Sequence, residues 1–363
     1  MSKNKISILF LTKYTRNGAS SRIRTFQYIP LLQQAGIVVT VAPFLSGKYV
    51  SGLQQGRKNK LEAARAYFRR LWTLATSRNH DLIWIQYEAL PWLPVWIEQF
   101  LLSKRVPYVL DYDDAVFHFY DMHRISWVRK LLGHKHDVLM RRAAMVCVGN
   151  EYLAERARRA GARQVEVIPT VVDLDRYPLI DEHKINSEND RVPCVGWIGQ
   201  RSTAAFLLPF NKLFTQLVDE GVARFTAIGI DASAMVLTME SIPWHEESEV
   251  ADISGFDIGI MPLSDGPFER GKCGYKLIQY MACGLPVVAS PVGVNCEIVE
   301  HGVNGFLAET PEEWEMALRT LLADPELRIR MGKAGREKVE RQYSLQVTGP
   351  KLVSLLKSVS GKS

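Results

Sequence analysis

Residues 6–42 read ISILFLTKYTRNGASSRIRTFQYIPLLQQAGIVVTVA. Ile6 to Leu11 is a short apolar run of the kind that forms a buried parallel strand. A polar loop, Thr12 to Ser21, follows and contains Gly18. Arg22 to Gln34 then carries apolar residues at helical spacing, Ile23, Phe26, Ile29 and Leu32, and Gly36 stops it. Ile37 to Ala42 is the next strand. Strand, loop, helix and strand in this order open a doubly wound α/β sheet.

The theme repeats along the chain. Leu82 to Ile85, Tyr108 to Leu110, Met145 to Val148 and Val165 to Ile168 read as strands with helical patterns between them. The charged stretch Asp181 to Arg191 reads as a linker, after which the pattern restarts. Cys194 to Ile198, Phe225 to Ile228, Asp257 to Met261 and Pro286 to Ala289 are strands. Thr203 to Glu220, Tyr275 to Cys283, Glu312 to Ala323 and Pro325 to Gln342 are helices. Two α/β domains with mainly parallel sheets follow from this alternation, spanning 1–185 and 192–345, with a terminal helical piece over 346–363. Such sheets place ligands beyond the carboxyl ends of their strands, so the residues after each strand are the ones to inspect.

Composition narrows the function class. Of 363 residues, 47% are hydrophobic and 23% charged, which excludes a disordered chain. The five cysteines, Cys147, Cys194, Cys273, Cys283 and Cys296, form no CxxC pair, which fits reduced thiols in the cytoplasm rather than a disulfide framework or a zinc site. Met1 to Lys5 is basic, but the apolar run behind it is too short for a signal peptide. The longest uncharged stretch, Leu277 to Cys296, is interrupted by Gly284, Pro286, Pro291 and Gly293 and does not read as a membrane span. Residues 1–190 carry 28 Lys/Arg against 18 Asp/Glu, a net of +10, whereas the remainder nets −4. A basic first half points to an anionic partner.

Two segments of the second half carry the chemistry. Gly196-Trp197-Ile198-Gly199-Gln200-Arg201-Ser202-Thr203 ends a strand and opens a helix. Glycine permits close backbone approach, helix-start N–H groups attract phosphate, and Arg201 adds a formal charge; Ser202 or Thr203 reads as the helix cap. A capped turn with an exposed arginine has the same appearance, and neither GxGxxG nor a P-loop is present. The second segment is more specific. Glu269-Arg270-Gly271-Lys272-Cys273-Gly274 is a glycine-rich loop feeding the helix from Tyr275, Gly284 ends that helix, and Pro286 leads into a buried strand. Pro291-Val292-Gly293-Val294-Asn295-Cys296-Glu297 is a turn that opens a further short helix, Glu297 to Glu300, before His301-Gly302-Val303-Asn304-Gly305-Phe306-Leu307.

From Tyr280 through Leu307 the chain resembles the donor-binding core of the retaining glycosyltransferases of the GT-B fold, family 4. Gly18 with Arg22, Val167-Ile168-Pro169 through Asp173, Asp257 to Leu263 and Met331 to Ser344 echo the same family. The resemblance implies two Rossmann-like doubly wound domains facing a central cleft, with the last stretch, Pro350 to Val359, crossing back to the first domain. It implies a nucleotide-sugar donor held mostly by the second domain, an acceptor held mostly by the first, and no metal or other cofactor. In this picture Gly18, Gly199, Gln200, Arg201, Ser202, Thr203, Lys272, Gly274, Gln279 and the turn Gly293, Val294, Asn295, with Glu297 at the pocket edge, line the donor site. The alternative for Glu297 is its favourable place in the first turn of a helix.

The family usually has two glutamates, the second just before Met-Ala-x-Gly and the first eight residues earlier. This chain has Gln279 and Gly271 at those places. Glu269 is the nearest carboxylate to stand in for the first, and Gln279 has the donors and acceptor to bond a ribose hydroxyl. Lys276, with Lys272 beside it, is expected to stabilise charge developing on the leaving diphosphate, against the plain alternative of a solvated surface lysine.

In the first half, Asp111-Tyr112-Asp113-Asp114 follows a strand. Such a carboxylate cluster either binds metal, raises the pKa of a member, or caps the next helix. Because the GT-B pattern uses no DxD metal, Asp113 or Asp114 is expected to orient the acceptor hydroxyl or accept its proton. Arg22, Glu88 and His118 are further acceptor-side candidates, with Arg22 able to fork onto a phosphate; the alternative for Arg22 and Arg24 is a solvent-facing position. Two basic amphipathic stretches, Arg57 to Arg78 and Arg124 to Arg142, flank the tryptophan-rich Leu90 to Ile97. Core packing of these tryptophans and docking at an anionic leaflet are both open at this stage, whereas no nucleic-acid module is visible.

The expected function is retaining transfer of a sugar from a nucleotide diphosphate sugar to a hydroxyl acceptor, lipid-linked or polysaccharide, in cell-surface polysaccharide or glycolipid synthesis. The enzyme is expected in the cytoplasm, peripheral on the inner face of the membrane. A nucleotide-sugar 2-epimerase of the same fold, or a non-catalytic nucleotide-sugar-binding protein suggested by the two absent glutamates, are the alternatives.

Overall fold

The computed structural model describes residues 5–47, 49, 52, 59–102, 106–178 and 191–361. The expected linker therefore lies, apart from Arg191, outside the described residues, as do Arg57 and Lys58 at the start of the first basic stretch. Internal contacts divide the chain into two compact units. One comprises Met1–Thr170, Gly271–Cys273 and Thr348–Ser363, the other Val171–Arg270 and Gly274–Val347.

The first unit is built on a parallel six-stranded sheet. Its strands are β1 (Ser7–Leu11), β2 (Val38–Val41), β3 (Leu82–Gln86), β4 (Tyr108–Tyr112), β5 (Met145–Val148) and β6 (Val165–Val167), in the order β2-β1-β3-β4-β5-β6. β1, β3, β4 and β5 are almost wholly buried, as continuous apolar runs in a two-sided sheet must be. The sheet order reverses between β1 and β3, which puts the ligand crevice of this unit at the loops after those strands.

The helix expected over Arg22–Gln34 is broken. Ala19–Arg24 and Ile29–Gln34 are separate helices joined by a 3₁₀ turn, Phe26–Tyr28. Thr25 leaves helical geometry and Pro30 sits in the first turn of the second piece, where its missing N–H costs nothing. The stretch Arg124 to Arg142 likewise forms two helices, Ser126–Leu132 and Lys135–Arg142. The terminal helix Leu345–Val359 contributes Thr348, whose hydroxyl bonds that of Tyr28 at 3.1 Å.

The second unit has its own parallel sheet: β7 (Cys194–Ile198), β8 (Arg224–Ile228), β9 (Glu240–Ile242), β10 (Ile258–Met261), β11 (Val287–Ala289) and β12 (Gly305–Leu307), ordered β12-β11-β10-β7-β8-β9. This is the doubly wound dinucleotide-type order, with its reversal between β7 and β10. Two apolar clusters cover its faces. Leu277, Tyr280 and Met281 of the helix Tyr275–Ala282 belong to one, and Phe214, Phe225 and Trp314 to the other. The helix expected over Thr203–Glu220 is three pieces, Arg201–Ala204, the 3₁₀ segment Ala205–Phe210 and Asn211–Asp219, because Pro209 cannot donate within a continuous helix.

Candidate functional site

In the second unit the helix Tyr275–Ala282 is the centre of the arrangement. Gly274 is its N-cap, with φ of 63°. Lys276 lies in its first turn, with Nζ 5.3 Å from the centroid of the Trp197 ring on β7. Its Cε is 3.0 Å from where a Cβ on Gly199 would stand, so the loop after β7 runs directly past this lysine. On the other side, a Cβ on Gly274 would lie 3.3 Å from Val294 and 3.5 Å from Asn295. The Gly199 loop and the Gly293 turn therefore flank one helix N-terminus at the edge where sheet order reverses. That terminus carries a partial positive charge to which Lys276 adds a full one.

The turn itself is constrained by backbone. Gly293 has φ of 54°, and a Cβ there would be 2.7 Å from the Arg270 carbonyl. The N–H groups of Asn295, Cys296 and Glu297 donate to the Val292, Gly293 and Val294 carbonyls. Those of Gly293 and Val294 have no backbone acceptor among the described residues. The Asn295 side chain is buried and donates to the Ser290 carbonyl at 3.0 Å, so it shapes the turn. Glu297 is exposed in the helix Asn295–Ile298, which begins earlier than the expected Glu297–Glu300, and its carbonyl accepts from Lys338.

Beyond Gly199, Gln200 and not Ser202 or Thr203 is the N-cap of Arg201–Ala204. Thr203 instead donates its hydroxyl to the Gln200 carbonyl at 3.0 Å. Arg201 and Ser202 are exposed at this helix start.

The two places where the family has glutamates are filled differently. Gln279 is 2% exposed and its amide donates to the buried Tyr177 hydroxyl at 3.2 Å. At Gly271 a Cβ would stand 2.4 Å from the Ala115 Cβ and 2.8 Å from its backbone nitrogen. No side chain fits there without moving backbone. Glu269 folds back over its own turn, with Oε2 2.4 Å from a Cβ position on Gly266.

In the first unit, the crevice after β1 and β3 gathers a second cluster. Lys13 Nζ lies 5.4 Å from the Tyr14 ring centroid and 5.6 Å from that of Tyr87. Tyr87 follows β3 with φ of 64°, a left-handed conformation that costs a bulky residue energy and marks functional loops. Its hydroxyl donates to Asp113. Asp114 Oδ2 is 3.7 Å from Lys272 Nζ, while Oδ1 is enclosed and finds no hydrogen-bond partner of ordinary geometry among the described residues. Burial pushes the Asp114 carboxyl up to about 6, with Lys272 opposing and Asp113 adding to the rise. Asn150 holds the 271–273 segment by donating to the Gly271 carbonyl at 3.0 Å and the Lys272 carbonyl at 2.9 Å.

The remaining candidates are internal. Asp111 is spent on Arg24, whose guanidinium reaches both carboxylate oxygens and the Ile168 carbonyl. Arg22 and Arg24 are both buried rather than solvent-facing. Gly18 precedes the helix Ala19–Arg24 and is packed on the Tyr14 side chain, 2.4 Å from a Cβ position. Glu88 accepts from Tyr120 and pairs with the fully buried Lys135 at 2.6 Å. His118 bonds Asp121 and Tyr152 at 2.8 and 2.9 Å. Lys13, Tyr87 and Asn150 were not singled out from the sequence. Each is a lone residue whose neighbours come from distant segments; the local signal is position, since Tyr87 directly follows β3, and Lys13 and Asn150 stand two residues after β1 and β5. Among the described residues no cluster of three or more His, Cys, Asp or Glu side chains is placed to hold a metal ion.

Known proteins share this chain's domains and fold. Residues 12–170 match the glycosyl transferase 4-like domain and residues 254–338 the glycosyl transferases group 1 domain. An N-acetyl-alpha-D-glucosaminyl L-malate synthase from Bacillus anthracis is 33% identical over 139 residues, 36% of each chain. A GDP-mannose-dependent monoacylated alpha-(1-6)-phosphatidylinositol monomannoside mannosyltransferase from Corynebacterium glutamicum is 32% identical over 151 residues, 39% of each chain. These matches span little more than a third of the relatives' lengths. Among solved structures, a sucrose-phosphate synthase from Thermosynechococcus elongatus superposes with a TM-score of 0.73 at 17% identity, covering 99% of this chain and all of that one. Anabaena HepE, solved with UDP-glucose, gives 0.65 at 18% identity over 97% of this chain and all of its own.

Proposed function

We propose, from the premise that this chain belongs to the GT-B glycosyltransferases of family 4 type, that it moves a sugar from a nucleotide diphosphate sugar to a hydroxyl acceptor with retention of configuration. The observation that carries this reading is the convergence of Lys276, the Gly199 loop and the Gly293 turn on one helix N-terminus. Uncommitted N–H groups, a helix dipole and a lysine are the groups that stabilise a diphosphate as it departs. The matched HepE structure holds UDP-glucose, which supports a nucleotide-sugar donor.

The reaction needs no protein nucleophile. The bond from the anomeric carbon to the diphosphate oxygen breaks as the acceptor oxygen bonds that carbon on the same face. The acceptor proton passes to the leaving phosphate, giving glycoside and nucleoside diphosphate. Lys276 and the turn amides hold the charge that develops on the phosphate. The Tyr87, Asp113 and Asp114 cluster, ordered by Lys13 and Lys272, is assigned to orienting the acceptor hydroxyl. The acceptor is proposed to be lipid-linked or a growing polysaccharide, met at an anionic membrane surface.

The test is a panel of UDP-, GDP- and dTDP-sugars, with nucleoside diphosphate release followed and the anomeric configuration of the product read by NMR. Diphosphate release with a retained anomer supports transfer. An altered nucleotide sugar without release would identify an epimerase, and saturable binding without turnover a binding protein.

A further inference from the structure

We infer that one outer face of the first unit docks on an anionic lipid surface, through rows of aromatic side chains flanked by arginine and lysine. The inference deepens the membrane-surface part of the reading above and rests on it.

The helix Lys60–Thr76 turns Ala66, Arg70 and Leu74 inward. At 3.6 residues per turn, Phe68 and Trp72 lie within about 40° of one another on the opposite side. They are 71% and 67% exposed. Arg65 and Arg69 flank them, both exposed. Two neighbouring helices repeat the design. Val95–Leu101 buries Glu98 and presents Trp96 and Phe100, the latter 81% exposed. Ser126–Leu132 buries Leu132 and presents Trp127, 73% exposed, with Arg129 and Lys130 beside it. Each aromatic stands on its helix's outer side, so these are not core positions. The core-packing alternative for Trp96 and for the half-exposed Trp92 is thereby corrected.

The rows belong to adjoining elements. Lys60–Thr76 packs against Val95–Leu101. Tyr67 donates its hydroxyl to the Pro91 carbonyl at 2.5 Å. Trp92 meets the Tyr120 ring edge-on at 5.0 Å and donates its backbone N–H to the Tyr120 hydroxyl. The helix carrying Tyr120, His118–Asp121, packs against Ser126–Leu132.

Charge decides the occupant. The acids of these segments are turned inward or neutralised. Glu98 is buried on Lys135, Asp121 pairs with Arg156, and Glu62 pairs with Arg65. With Arg65 set against Glu62, the outward charge left beside the aromatics is that of Arg69, Arg129 and Lys130, and it is positive. Tryptophan with an apolar body and a polar N–H, next to long cationic side chains that reach past it, suits the boundary between headgroups and acyl chains. Anionic headgroups supply the complementary charge.

Co-sedimentation with vesicles of phosphatidylcholine alone, and of phosphatidylcholine mixed with phosphatidylglycerol, tests this. The protein should sediment with the anionic vesicles, lose that binding as salt rises, and show blue-shifted tryptophan emission when bound. The triple variant Trp72→Ser, Trp96→Ser, Trp127→Ser should bind anionic vesicles about tenfold or more weakly. It should keep the wild-type melting temperature and nucleotide response. Arg65→Glu with Lys130→Glu should erase the preference for anionic vesicles. Lys276→Ala should bind vesicles like the wild type, which separates this face from the donor site. No binding to anionic vesicles, undiminished binding by the triple variant, or a concentration-dependent dimer that the triple variant dissolves in place of vesicle binding would overturn the inference.

Discussion

Gly271 and Asp114 show how much one position can redirect a site. The Ala115 backbone stands where a side chain at 271 would go. Gly271→Glu, which restores the family residue, should therefore lower stability by about 1–3 kcal/mol, as overpacked positions do, and add no activity. A lower melting temperature without gained turnover is the expected result. Asp114 sits next to that contact, and its burial sets a pH dependence. With its carboxyl pushed up to about 6, it passes from mostly protonated to mostly ionised across that pH. Turnover that uses the carboxylate should rise through about pH 6, and Asp114→Asn should remove this acid limb from the pH–rate profile. The stability effect runs the other way. A carboxyl whose folded value is raised favours the fold below its unfolded value near 4 and loses that contribution as pH rises through about 6. Asp114→Asn should thus help the fold more at pH 7 than at pH 4, as thermal melts at the two values will show. The family motif led from the sequence to Lys276 and the Gly293 turn. Tyr87 was out of reach, because its left-handed backbone and its bond to Asp113 arise from packing between separate strands.

At the scale of elements, buried apolar runs were the most legible feature. β5 and β7 have the bounds that their apolar residues define. β9 and β12, three residues each, were not read, because Glu240–Ile242 and Gly305–Leu307 have neither the length nor the apolar content of a buried strand. The helix breaks at Thr25 and around Pro209 are hidden in the sequence because the apolar spacing continues through them. Charged residues inside helices gave no sequence signal of burial. Lys135 is fully buried, 2.6 Å from both Glu88 and Glu98, and it donates to the Leu90 carbonyl. It ties the loop after β3 to the helix Val95–Leu101. Lys135→Met leaves two carboxylates without their cation and should cost about 3–5 kcal/mol, the usual penalty for breaking a buried pair from one side. Urea denaturation provides the check. Loss of less than 1 kcal/mol would show that the pair is not structural (cf. exposed pairs, ~0–1 kcal/mol).

For the whole molecule, two parallel sheets, each with a reversal in strand order, account for where the two clusters form. The alternation of strands and helices made this architecture readable before any side chain was placed. The direction in which aromatic residues face was not readable, since a tryptophan at helical spacing looks the same in a core and on a surface. The most direct test of the account is thermal shift with UDP, GDP and dTDP beside their parent nucleosides, on the wild type and on Lys276→Ala. A ligand bound only by the folded state raises the melting temperature by mass action. The account predicts a shift with at least one diphosphate, little with its nucleoside, and loss of most of that shift in Lys276→Ala. No shift with any diphosphate, or an equal shift in the variant, would contradict it.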